Sequence, residues 1–110
     1  MDSKKLANGF KNEIINENLE IYKRLFTDDS PSEIRDPYFI KAINFFNTLS
    51  DDHKQIFFSI LRQVMIDSIS NVLGVIDGSS NLSECDGNFS LLYEGKSFED
   101  LQDYFLSQFE

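Results

Sequence analysis

A chain of 110 residues, 41% hydrophobic and 26% charged, has the length and make-up of one globular domain, residues 1–110, able to fold without disulfides or metals. Its single cysteine, Cys85, excludes an intramolecular disulfide and any multi-cysteine zinc cluster. A formal net charge of −9 argues against nucleic acid and anionic membrane as partners.

From Ser3 to Phe26, apolar residues recur at Leu6, Phe10, Ile14, Ile21 and Leu25, with Ile15, Leu19, Tyr22 and Phe26 alongside. This spacing predicts an amphipathic helix with a broad apolar stripe. Gly9 weakens its first turns by up to about 1 kcal/mol relative to alanine. Thr27 to Pro31 breaks the pattern, and Ser30-Pro31-Ser32-Glu33 has the form of a capping box, so a short turn is expected over 31–35. Asp36-Pro37 repeats the cap-then-proline device. It opens a second helix reaching about Thr48, with Phe39, Ala42, Ile43 and Phe46 turned inward.

Ser50 is placed to cap a third helix, and Asp51 and Asp52 in its first turn complement the positive end of the helix dipole. Between Ile56 and Ile76 this segment holds thirteen large apolar residues and only a narrow polar stripe. A helix of that kind is expected to be surrounded by others on most sides. At its standard rise it spans roughly 40 Å, longer than so small a domain requires, so it either bends near Ser68–Ser70 or Gly74, or meets a partner. Arg62, Gln63, Asp67 and Asn71 interrupt the apolar run and argue against a membrane span.

Asp77 to Asn81 are turn formers that end the helix. Asp86-Gly87 is a hairpin signal, which predicts a small two-stranded ribbon within Leu82–Tyr93, followed by a second turn at Gly95-Lys96. Ser97 then caps a last helix over Phe98–Phe109, with Phe98, Leu101, Phe105 and Phe109 on one face and acids on the other. The expected fold is mainly α: a four-helix single domain around a long central helix, with a small β-hairpin inserted before the last helix.

Catalytic chemistry finds little purchase. His53 and Cys85 are the only histidine and cysteine, and each has an ordinary structural explanation. Ser50-Asp51-Asp52-His53 holds the residue types of a hydrolase triad, but helix capping explains all four and no Gly-x-Ser-x-Gly elbow is present. Laid over the calcium-loop template, Asp77–Asn88 puts Leu82 where glycine is required and Asn88 where a bidentate acid is required. Only a weak, irregular cation site from Asp77, Glu84 and Asp86 stays open. No phosphate loop, dinucleotide fingerprint or zinc spacing occurs, so no enzyme activity, cofactor or metal is expected. With no apolar run of signal-peptide length at its start, the chain is expected in the cytoplasm.

The charge is unevenly placed. Residues 1–62 hold nine Lys and Arg against ten Asp and Glu, a balance of −1, whereas residues 63–110 hold Lys96 against nine acids, a balance of −8. That asymmetry favours a non-catalytic protein-binding module, such as an inhibitor or immunity-type protein that covers a basic partner. The candidate contact residues are Glu84, Asp86 and Glu94 on the ribbon and Glu99, Asp100 and Asp103 on the last helix, with Tyr104 as the aromatic anchor. The same acids would serve solubility equally well. Alternatives are a self-associating helical adaptor, such as a homodimer, using the apolar surplus of the third helix and the tail aromatics Tyr104 and Phe109, and an enzyme whose site is not legible from the residues.

Overall fold

The computed structural model describes residues 1–27 and 36–110; the Ser30 cap and the turn expected over 31–35 lie outside them. Helix accounts for 69% of the structure, in four helices with a two-stranded antiparallel hairpin before the last. The first is continuous but not uniform. It begins as α1 (Ser3–Gly9), widens into a π-helical stretch over Phe10–Asn16, and resumes as α2 (Glu17–Thr27). Asp2 caps α1: its carboxylate accepts from the Lys5 amide at 2.8 Å, and that bond holds the carboxyl below its ordinary pKa. α3 (Pro37–Asn47) starts where Asp36-Pro37 predicts, with the Asp36 carboxylate accepting from the Tyr38 amide at 2.9 Å. α4 (Asp51–Asp77) is capped by Ser50, whose hydroxyl accepts from the His53 amide at 3.2 Å.

Two apolar clusters hold these helices together. One joins Phe26 of α2, Ile43 and Phe46 of α3, and Phe57 and Phe58 of α4. The other gathers Ala7, Ile15, Ile66, Leu73, Leu101 and Phe105. The start of the first helix shares a cluster with the end of α4, and its end shares one with the start of α4, so the two long helices run antiparallel. The result is elongated. Its extents are 47 × 30 × 25 Å, and its radius of gyration is 17.6 Å. A compact chain of this length would have a radius of gyration of about 13 Å.

α4 ends on Gly78, whose φ of 84° is left-handed, with the Ser79 and Ser80 amides donating back to the Gly74 carbonyl. Since a side chain there meets the left-handed penalty, Gly78→Ala is expected to lower stability by about 1 kcal/mol, read from the urea midpoint at an unchanged slope. An unmoved midpoint would contradict this cap.

Three expectations are corrected. The hairpin does not form at Asp86-Gly87. It pairs β1 (Leu92–Tyr93) with β2 (Lys96–Ser97), Leu92 opposite Ser97 and Tyr93 opposite Lys96. A two-residue loop of this type needs positive φ at both positions; Glu94 (49°) and Gly95 (82°) supply it, whereas Gly87 does not. Ser97 is therefore a strand residue and not a helix cap. The last helix, α5 (Leu101–Ser107), begins later than the predicted Phe98, behind Asp100 at a φ of 56°. Its first turn is satisfied from α4 instead: the Gln102 amide donates to Asp77 Oδ2 at 2.7 Å.

The third correction concerns α4, which is not surrounded. Four of its 27 residues are buried, namely Ile66, Ser70, Leu73 and Gly74. The reason is supply: α5 has only seven residues, and α3 packs only toward the start of α4. Gly74 marks a close approach and no break in the helix. A Cβ there would lie 2.9 Å from Gln102 Nε2, which donates to the Ser70 carbonyl at 2.9 Å and to its hydroxyl at 3.1 Å.

Candidate functional site

The uncovered side of α4 is the largest feature the fold leaves unexplained. Ile56, Ile60 and Val64 are 55–57% exposed and Val72 is 59% exposed, and with Ser68 they fall at steps of four. Residues four apart stack into one ridge along a helix, so these side chains form a line roughly 24 Å long that is apolar except at Ser68. The row beside it is Gln55, Ser59, Gln63, Asp67 and Asn71, all exposed. Its one charge, Asp67, accepts from Gln63 Nε2 at 2.9 Å. A face made for water, in a chain 26% of whose residues are charged, would carry several charges.

Only 17% of the most apolar stretch of α4 is buried. Among the described residues this is also the one helix long and apolar enough to cross a membrane by length and composition, with Arg62 and Asp67 inside it. The sequence predicts a helix surrounded on most sides because apolarity alone does not say which face a neighbour covers. The signal that distinguishes them is the uncharged row at the adjacent positions.

The acidic residues singled out from charge are distributed over two places. Glu94, Glu99, Asp100 and Tyr104 meet around an open hollow of about 660 Å³ between the hairpin, the start of α1 and α5. Glu94 owes its place to the tight hairpin turn, and Glu99 is tied to α1 where Ser3 Oγ donates to its carbonyl at 2.7 Å. Tyr93 and Tyr104 line the same hollow with 49% and 42% of their surface exposed. Its acids are not alone, since Lys4 and Lys96 also line it. Asp103 is exposed on α5 outside the hollow. Glu84 and Asp86 are exposed on the loop between α4 and β1 and line no part of it, so the expectation that all six acids share one surface is not met by this hollow.

The other candidates stay apart. His53 is exposed on the first turn of α4. Cys85 is half-buried beyond its end, where its thiol faces the Gly87 carbonyl at 3.6 Å and it shares a small pocket with Val75 and Gly78. From His53 to Val75 the helix alone measures roughly 30 Å, too far for one site. Asp77 turns toward α5, with Oδ2 accepting from Gln102 and Oδ1 buried without a partner. It does not join Glu84 and Asp86: among the described residues no three His, Cys, Asp or Glu side chains gather to hold a metal ion.

No family model, curated protein or solved structure matches this chain.

Proposed function

We propose that this chain is a non-catalytic protein-binding module of the cytoplasm, working through the uncovered face of α4. One observation carries the reading: a 27-residue helix with four buried residues keeps Ile56, Ile60, Val64 and Val72 in water along one ridge. Burying four such side chains stabilises a complex by several kcal/mol before the costs of association, and a contiguous exposed patch of that size marks an interaction surface. The positions of His53 and Cys85, at opposite ends of α4, accord with binding rather than nucleophilic chemistry. The test is capture of binding proteins, this chain included, on immobilised wild type and on an Ile60→Glu, Val64→Glu double variant. Specific partners are expected on the wild type and not on the variant. Identical recovery on both would remove α4 from the binding surface.

A second reading is favoured by the hollow. Glu94, Glu99 and Asp100 around the exposed Tyr93 and Tyr104 offer acids beside aromatic surface, the combination that suits a lysine- or arginine-rich protein segment, as an inhibitor of a basic partner would need. Glu94→Lys with Glu99→Lys is expected to abolish capture of such a partner, and the wild-type complex to weaken as salt rises. Capture indifferent to both leaves these acids a solvated surface.

A further inference from the structure

We infer that the occupant of the α4 ridge is a second copy of this chain, related to the first by a two-fold axis near Val64. The inference rests on the reading of α4 as a binding face and names its partner.

Two observations select the second copy. The first is geometry. Ridges built on steps of four interlock with ridges of the same kind, at a crossing angle of about −50° with axes 8–10 Å apart, the commonest helix pairing in globular proteins. The ridge of a second molecule is of that kind. Val64 is the midpoint of Ile56–Val72, so an axis through it sets Ile56 of one copy against Val72 of the other and Val64 against itself, with Ile60 over the small Ser68.

The second is charge. A two-fold interface presents the same surface twice and must be complementary to itself. Gln55, Ser59, Gln63 and Asn71 both donate and accept, so this row pairs with its own copy, which a row of like charges would not. The −8 of residues 63–110 lies mostly beyond α4, and the ridge with its neighbouring row carries Asp67 as its one charge, so little like charge meets across the two-fold. The same row argues against the two other occupants. A basic partner would seek acids, of which it has only Asp67. A lipid surface would seek flanking lysines and arginines, of which it has none.

The test is sedimentation equilibrium of the full chain from micromolar to hundreds of micromolar, with circular dichroism on every sample. Wild type is expected to reach twice the chain mass at the upper concentrations. Ile60→Glu with Val64→Glu is expected to stay at the single-chain mass with unchanged helicity, since both side chains are exposed in the single chain. If that variant loses helix, Gln63→Lys with Asn71→Lys takes its place. It sets like charges across the two-fold without touching either core cluster, and dimer affinity is expected to fall at least tenfold.

Wild type at the single-chain mass throughout overturns the inference, as does a dimer that both variants leave intact. A single-chain wild type that captures a different protein through Ile60 and Val64 also overturns it, while leaving the binding-module reading standing. A single-chain wild type with no ridge-dependent binding at all removes both. Ridge-dependent co-sedimentation of the single chain with phosphatidylcholine vesicles overturns it in favour of lipid.

Discussion

Phe105→Ala is expected to lower the free energy of unfolding by about 3–5 kcal/mol, a large share of the 5–15 kcal/mol typical of a domain. Phe105 is fully buried in the cluster with Ala7, Ile15, Ile66, Leu73 and Leu101, and meets Phe109 edge-on at 5.1 Å between ring centres. Its helix is otherwise held by buried Leu101 and by the hydrogen bonds of Gln102 to Asp77 and Ser70. α5 has seven residues and no side-chain cap, and a helix that short does not persist in water without packing. Removing the ring leaves a cavity and loosens an element that covers the end of α4 together with the start of the first helix. Denaturant unfolding at one fixed protein concentration measures the loss, since association through α4 would make stability concentration-dependent. A shift under 1 kcal/mol would mean that α5 is not part of the core.

Phe46→Ala should cost a similar amount, and Phe45→Ala next to it no more than about 0.5 kcal/mol. Phe46 is 1% exposed, and its ring centre lies 5.1 Å from that of Phe26, 5.5 Å from Phe57 and 5.3 Å from Phe58. Lys54 sits over its face at 5.1 Å, adding a cation–π contact. Phe45 is 57% exposed. The pair therefore separates burial from composition: the same residue type, one position apart, on different faces of α3. Equal losses at both would mean that α3 is rotated so that Phe45 also faces the core, or that Phe45 is itself covered by a partner.

The helix starts were legible where the chain spells out the chemistry of an end. Asp36-Pro37 and Ser50 open α3 and α4 as their residue types require, and the turn formers after Asp77 close α4 at Gly78. The α5 start was not legible. Ser97 is a good cap by type, yet it is drawn into the ribbon opposite Leu92, and the Phe98 amide extends that pairing to the Leu91 carbonyl at 3.0 Å. Asp86-Gly87 is a stronger hairpin signal than Glu94-Gly95, but Leu91-Leu92-Tyr93 and Lys96-Ser97-Phe98 flank the latter with segments able to pair. Tertiary pairing outweighed the turn propensity. The π-helical stretch over Phe10–Asn16 has no local marker at all.

The candidate site divides in the same way. Glu94, Glu99, Asp100 and Tyr104 were identified from charge and helical spacing and do meet, because the hairpin folds Glu94 back toward the start of α5. Which face of α4 stays open was not legible, because thirteen apolar residues on one helix look buried until the rest of the chain is counted, although the same surplus made self-association an alternative. The remaining helices, with α5 so short, cover only the face that carries Met65, Ile66, Ile69, Leu73 and Ile76 and the side that carries Phe57 and Phe58.

The contact that α4 makes is tested most directly by a single cysteine on its ridge. Val64→Cys in a Cys85→Ser chain, oxidised gently at concentrations where the protein stays folded, places two thiols across the two-fold axis. Cysteine Cα atoms about 5.5–6 Å apart bridge readily, and those more than 7 Å apart do not without backbone movement. The expected result is a disulfide-linked pair at high yield, with Lys41→Cys, on the exposed side of α3, staying single under the same oxidation. A Val64→Cys chain that stays single while remaining folded would contradict this pairing of α4 with its own copy.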